Sequence, residues 1–286
     1  MMIISIVLMI NLNIVKTKAD NVNSLIYADE FTYIEEGNDI AILKYIGSND
    51  KHLVIPEIIN GKNVTVIKED AFYGSQDVYT LRIPKTVNRI EGGAFSHCMN
   101  LNEIKVDKNN EYYLSEDGIV YTKGKTILVS CPSQKTNIII PDTVTRIEKC
   151  SFSACKDLKI IEIPDSVTSI GDNAFNHCLA AREVEISDSV ISIGSYAFFF
   201  SYLESIDIPS SVKYIGKGAI DCTIYGEKGS SAEEYSITDG NVKFKTFKDK
   251  EREKIIDKFV PYLLFTILLI IIFYFVWKNK LKKSDM

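Results

Sequence analysis

Apolar and polar residues alternate in a recurring pattern along the middle of the chain. The clearest copy, Leu158–Cys178, reads LKIIEIPDSVTSIGDNAFNHC. Its first residues follow the spacing L-x-x-I-x-I, which predicts a short strand with one buried face. A proline without an N–H then ends the strand, and a glycine permits the tight corner before an A-F step. We expect this A-F step to pack back inside on a short helical turn.

The pattern repeats with a period of about 23 residues. Related copies begin at Val78, Ala181 and Leu203. The phenylalanine of the A-F step recurs at Phe72, Phe95, Phe152, Phe175 and Phe198. A fixed period of this size predicts a solenoid, because one unit cannot bury its apolar face alone and stacked units bury a continuous core.

The phrase I-P-x-S-V-T-x-I-G-x-x-A-F-x-x-C resembles the BspA-like class of leucine-rich repeats, a bacterial surface-protein family. The resemblance covers residues 31–247. It implies a β-rich leucine-rich-repeat solenoid, with short strands and short helical turns in each coil. It also implies an opening hairpin, an inserted hairpin and a closing cap. Departures at Ser187, Ser151 and Ile220 weaken single coils and leave the predicted fold intact.

Two apolar segments flank the array. Residues 259–277 read FVPYLLFTILLIIIFYFVW, a run without charge that has about the minimum length for one helix across a hydrocarbon core of roughly 30 Å. Residues 1–19 resemble a secretory signal that ends on the small residue Ala19. Because no Lys or Arg precedes this apolar run, an uncleaved anchor stays open as an alternative.

The chain therefore divides into a sequence of predicted parts. These are a signal segment at 1–19, an N-terminal hairpin cap at 20–52, a solenoid at 53–222 with a hairpin inserted at about 107–137, a C-terminal cap at 223–247, a charged stalk at 248–258, a transmembrane helix at 259–277 and a tail at 278–286. Long domains translocate with little regard to flanking charge. The signal thus predicts a single-pass protein of the cell membrane, with extracellular repeats and a cytoplasmic C-terminus.

Composition and motifs narrow the range of functions. The net charge of −5 over 286 residues argues against a nucleic-acid partner. The sequence contains no G-x-S-x-G, no H-E-x-x-H, no phosphate-binding loop and no dinucleotide fingerprint. We therefore expect a protein that is not an enzyme and that uses no cofactor and no metal.

The cysteines and histidines follow the repeat. Six cysteines outside the cell suggest disulfides, but Cys98, Cys155 and Cys178 share one slot three residues after the phenylalanine. A slot repeated in each coil indicates packing, although a bridge between Cys155 and Cys178 stays open. His97 and His177 look like a metal pair, yet coil counting separates them by on the order of 15 Å. That distance is too long for a shared zinc ion.

One outward-facing column is the candidate binding surface. The residue between the two inward positions of each first strand must point outward. This column reads Arg82, Lys105, Ile139, Glu162, Glu185 and Asp207, and the neighbouring outward column adds Glu103, Ile160 and Glu183. Basic residues lie at one end, apolar residues in the middle and acidic residues at the other. Such a gradient predicts an extended protein partner with a definite polarity, with ordinary solvated surface as the alternative.

The resemblance implies attachment to host or matrix proteins or to a neighbouring cell surface. We therefore expect a membrane-anchored extracellular protein that mediates protein binding or adhesion, held by the span Phe259–Trp277. A non-catalytic envelope scaffold or a sensor ectodomain is the alternative, although the tail KNKLKKSDM is too short for a signalling domain. The ligand and the oligomeric state stay open.

Overall fold

The computed structural model of the chain describes residues 26–28, 30–48, 50–239 and 242–284, so the predicted signal segment lies outside the described residues. The N-terminal strands are β1 (Ile26–Ala28), β2 (Phe31–Glu36), β3 (Asp39–Tyr45), β4 (His52–Val54), β5 (Ile58–Ile59), β6 (Lys62–Ile67), β7 (Thr80–Ile83), β8 (Arg89–Ile90) and β9 (Glu103–Val106). The inserted strands are β10 (Tyr113–Glu116), β11 (Ile119–Thr122) and β12 (Ile127–Ser130).

The remaining elements complete the array and lead out of it. The strands are β13 (Arg146–Ile147), β14 (Ile160–Ile163), β15 (Ser169–Ile170), β16 (Glu183–Ile186), β17 (Ser192–Ile193), β18 (Ser205–Asp207), β19 (Tyr214–Ile215), β20 (Thr223–Gly226) and β21 (Phe244–Thr246). The helices are α1 (Ser231–Asp239) and α2 (Phe247–Ser284).

Each coil contributes strands to two parallel ladders. The ladder of first strands, which we call the strand face, consists of β4–β7–β9, then β14–β16, then β18–β20–β21. The second ladder has two parts. Its first part, β3–β6–β8, belongs to a six-stranded sheet with β1, β2 and β5, and its second part, β12–β13–β15–β17–β19, forms a seven-stranded sheet with the inserted β10 and β11. Ile160 pairs with Glu183 and Glu162 with Glu185, so each residue pairs with the residue at the same position of the next repeat. The predicted solenoid of short strands is confirmed.

The A-F phenylalanines form a buried column along the axis. Phe152 and Phe175 stack with ring centroids 4.8 Å apart, and Phe175 and Phe198 stack at 5.3 Å with planes 2° apart. All three side chains are fully buried. A column of this kind explains the repeat, because each ring covers the ring of the preceding coil and a lost ring leaves a cavity.

The inserted hairpin divides the apolar core into two clusters. One cluster begins at Phe31 and includes Val120 and Val129 of the hairpin. The other begins at Ile119 and includes Leu128 of the same hairpin. Since side chains alternate between the two sides of a strand, one hairpin packs one of its faces against the first core and the other face against the second.

Helix α2 begins at the end of the C-terminal cap and continues without a break through the charged stalk into the apolar segment. Within the described residues, Phe247–Ile272 is the one helical stretch long and apolar enough to cross a membrane, and its most apolar 18-residue window has a mean hydropathy of 2.3. Its first turns are tied to the cap: the Tyr225 hydroxyl donates to Glu253 at 2.7 Å, and the Lys245 ammonium donates to the same carboxylate at 2.6 Å. The helix is therefore a candidate membrane span that starts against the end of the solenoid.

Candidate protein-binding face

The strand face presents the predicted outward column to solvent. Arg82 lies beside Lys105 on β7 and β9, and Glu162 lies beside Glu185 on β14 and β16. The side chains of these four residues are exposed. The parallel pairing therefore places like charges next to each other, a basic pair at one end of the face and an acidic pair farther along.

Three of the predicted site residues have charged partners that reduce the gradient. Asp207 forms an ion pair with Lys250 of α2, so the first turn of the helix covers part of the acidic end. Glu103 forms an ion pair with Lys105 at 2.9 Å, which offsets part of the basic end. The open acidic part of the column is therefore centred on Glu162, Glu183 and Glu185, and Glu183 is also exposed.

Ile139 lies in an interruption of the strand face. The register predicts that residues 137–140 pair with β14, but they form no strand. The backbone groups of residues 136–140 make no hydrogen bond to other described residues. Ile139 is 91% exposed, and Ile160 across the interruption is 51% exposed. The apolar middle of the column is thus a pair of exposed isoleucines beside unpaired backbone.

A groove of about 670 Å³ opens at this interruption. We call it the acidic groove, and it is lined by residues 138–140, Asp142, residues 162–166 and Glu185. Four carboxylates, those of Asp142, Glu162, Asp165 and Glu185, face it, and none of the described residues that line it is Lys or Arg. A smaller groove of about 250 Å³ lies at the basic end, where Arg82 and Lys105 are accompanied by Glu57 and Asp107. Only the larger groove has a single sign of charge.

The predicted separation of the two histidines is wrong. The imidazole centroids of His97 and His177 lie 5.2 Å apart. The inserted hairpin adds strands but no A-F turn, so the turn at Gly92 lies directly against Lys149, where a Cβ on the glycine would be 2.8 Å from the lysine Cβ. The slot between the two histidines belongs to Ala154, whose side chain is too short to keep their rings apart.

The two histidines belong to a row of rings that the sequence analysis missed. Tyr73 contacts His97 at 5.0 Å between centroids, and His177 contacts Phe200 at 5.0 Å. The sequence held a signal for this row, because ring residues recur in the slot two residues after the A-F phenylalanine. In the structure this slot has positive φ in five coils. Its occupants are Gly74, His97, Ala154, His177 and Phe200. Among the described residues, no group of three or more His, Cys, Asp or Glu side chains is placed to hold a metal ion.

Four of the six cysteines, Cys98, Cys131, Cys155 and Cys178, are buried in the core, and Cys150 and Cys222 are partly exposed. All six are free, so the structure contains no bridge between Cys155 and Cys178. Cys131 lies outside the repeated slot in sequence, yet its thiol lies beside that of Cys155. Burial raises the pKa of Cys98 to about 12 and holds the pKa of Cys131 and Cys178 well above the usual thiol value. These thiols are protonated at neutral pH and hence poor nucleophiles.

Comparison with known proteins gives one family and several solved structures. A profile described as BspA type Leucine rich repeat region, in six copies, matches residues 43–117 and 124–228, more than half of the chain. A leucine rich cell surface protein from Faecalibacterium prausnitzii A2-165 is 19% identical, with 79% of this chain and 96% of that chain covered and a TM-score of 0.49. The pneumococcal vaccine antigen PcpA is 18% identical, with 72% and 82% covered and a TM-score of 0.44. No curated protein matches the chain.

Proposed function

Because the chain belongs to the BspA-type leucine-rich repeat family, we propose that it is a membrane-anchored protein that binds an extracellular protein partner through its strand face. In this proposal α2 holds the array at the cell surface, the repeats lie outside and the tail lies inside. The partner is a host, matrix or neighbouring-cell protein. The array acts by binding, without catalysis.

The observation that supports the proposal most directly is the paired, exposed column on the strand face. Parallel pairing sets Glu162 beside Glu185 and Ile160 beside Glu183, with the acidic groove alongside. The hydrogen-bonded ladder already fixes the backbone positions of these residues before a partner binds. The backbone therefore needs no further ordering on binding, which reduces the entropic cost of association. Charge of one sign over a groove also speeds encounter with a partner of opposite sign.

A charge-reversal variant of the full chain in detergent micelles tests the binding face. We expect the double substitution Glu162→Lys and Glu185→Lys to lower capture of cell-surface and matrix proteins at least tenfold. The matched control reverses two exposed glutamates on the helices, Glu234→Lys and Glu251→Lys, and is expected to bind as the unaltered chain does. Thermal unfolding must be unchanged in both, because all four side chains are exposed. Unaltered capture by the first variant contradicts the assignment of this face.

Protease digestion of intact cells tests the membrane arrangement. We expect an added protease to remove the repeats and leave a fragment that contains α2. Full protection of the repeats in intact cells, with digestion only after the cells are opened, contradicts the extracellular placement.

A further inference from the structure

The strand face is interrupted where the inserted hairpin enters the array. The hairpin covers one edge of β9, since Ile104 N–H donates to the Gly118 carbonyl at 3.1 Å and Val106 N–H donates to the Ser115 hydroxyl at 3.0 Å. The next segment of the face is residues 136–140, whose backbone groups have no partner among the described residues. The strand after that is β14, and among the strands of the described part of the chain it pairs with β16 alone. One edge of β14 is therefore open.

The register of intact coils identifies which backbone groups are free at this edge. The Arg82 carbonyl accepts from the Ile55 N–H of the preceding coil at 3.0 Å, and the Ile83 carbonyl accepts from the Asp107 N–H of the following coil at 2.9 Å. Glu162 occupies the position of Arg82 one coil after the interruption. Its carbonyl therefore faces the preceding segment, where no described residue has an N–H in place to donate. An open strand edge of this kind is a template for another chain.

The lining of the acidic groove defines the chemistry of a strand that would fill it. Inward-facing side chains of an added strand would lie over Ile138 and Ile163, which line the groove. Outward-facing side chains would lie beside Glu162, with Glu185 one coil farther on. With four carboxylates and no cation on the walls, a ligand without positive charge would leave them uncompensated. The complementary sequence alternates apolar and basic residues.

We propose that the acidic groove takes an extended, basic segment of the partner protein by β-augmentation on the open edge of β14. Backbone hydrogen bonds to the edge provide affinity and alternate side chains provide specificity, as in other strand-addition complexes. Strands rise about 3.3 Å per residue, so the four residues of β14 match a segment of about four. The inference rests on the proposed function and names the partner chemistry at the same face.

A labelled eight-residue peptide of alternating lysine and valine is the probe. Its affinity for the full chain in detergent micelles is measured by fluorescence anisotropy. We expect saturable binding that the double substitution Glu162→Lys and Glu185→Lys weakens at least tenfold. A peptide of alternating glutamate and valine is expected not to bind. Absence of binding by the lysine peptide overturns the inference.

N-methylation of the peptide separates backbone pairing from plain charge attraction. Methylation of every second backbone nitrogen removes those N–H donors and keeps every lysine side chain. Two peptides are made, one methylated at the odd-numbered and one at the even-numbered positions, so that each set of N–H groups is tested separately. We expect methylation in at least one of the two peptides to weaken binding tenfold or more. If both methylated peptides bind as the unmodified one does, while charge reversal still abolishes binding, β-augmentation is wrong and the binding face stands. If charge reversal changes neither peptide binding nor protein capture, the proposed function fails as well.

Discussion

His97 and His177 lie in edge-to-face contact, with ring centroids 5.2 Å apart and ring planes at 71°, although the whole inserted hairpin separates them in sequence. The contact exists because Ala154 occupies the slot between them. Both rings are partly buried, and His177 bonds to the Asn176 side chain. Two imidazoles this close cannot both become charged without repulsion, so the contact makes stability depend on pH.

Acidification is expected to destabilise the array through His97. Burial, followed by the neighbouring His177, lowers the pKa of His97 below its usual 6.5, with Asp70 acting in the opposite direction. The unfolded chain therefore binds more protons than the folded chain as pH falls through 6.5, and stability is lost in that range. Urea unfolding should give a lower free energy at pH 5.5 than at pH 7.5, and His97→Gln should reduce the difference. An unchanged pH dependence in this variant contradicts the prediction.

A branched side chain at Ala154 should force the two histidines apart. Ala154 is fully buried and has φ of 63°, a region that β-branched residues avoid. We expect Ala154→Val to lower the free energy of unfolding by about 3 kcal/mol through overpacking and backbone strain. Ala154→Gly is the matched control, since glycine adopts positive φ freely, and should stay within about 1 kcal/mol. Equal urea midpoints for the two variants would count against this account.

Close approach of coils requires a glycine at position 171. A Cβ on Gly171 would lie 2.6 Å from the backbone nitrogen of Lys149 in the preceding coil, and backbone cannot move aside without separating the coils. We expect Gly171→Ala to cost about 2–3 kcal/mol of unfolding free energy. Gly124→Ala, where the nearest atom is a side-chain carbon 3.8 Å away, should change it by less than about 0.5 kcal/mol. Urea denaturation of both variants is the measurement.

The cysteines should resist alkylation until the array unfolds. Burial raises the pKa of Cys150 to about 11 and that of Cys222 to about 12, and the four other thiols are fully buried. Because the thiolate is the reactive form, maleimide at pH 8 should label the native chain slowly and all six cysteines rapidly in urea. Mass spectrometry counts the labels. Rapid labelling of any one thiol in the native chain shows that its coil opens.

The repeat made much of the fold predictable. A period of two within each first strand places Ile161 and Ile163 inside and Glu162 outside, and the A-F step places Phe175 in the core, as the structure has them. These are local consequences of side-chain alternation and of stacking on identical neighbours. They need no knowledge of distant residues.

The interruptions were not predictable from the same pattern. Residues 137–140 have the residue pattern of a paired strand, yet they stay unpaired. The hairpin before them is asymmetric, because it adds strands beside β9 and β13 but no A-F turn. The same asymmetry brings His97 to His177. The repeat position of Asp207 predicts a side chain that faces solvent. Its ion pair with Lys250 depends instead on the direction in which α2 leaves the cap. Each of these outcomes is set by contacts between distant segments, which a repeat unit does not encode.

The two ladders give the array unequal stiffness. Both ladders are interrupted at the inserted hairpin, but the second ladder is continuous from β12 to β19, whereas the strand face is broken on each side of the β14–β16 pair. Hydrogen bonds between coils resist separation where they exist. After the hairpin they run along the second ladder and between the A-F turns, where the Phe152 N–H donates to the Ala174 carbonyl at 2.8 Å and the Phe175 N–H donates to the Ala197 carbonyl at 2.8 Å. Widening the acidic groove then bends the array and breaks no ladder bond. When the groove fills, the coils separate on this side more than on the side of the second ladder, and the curvature of the array changes.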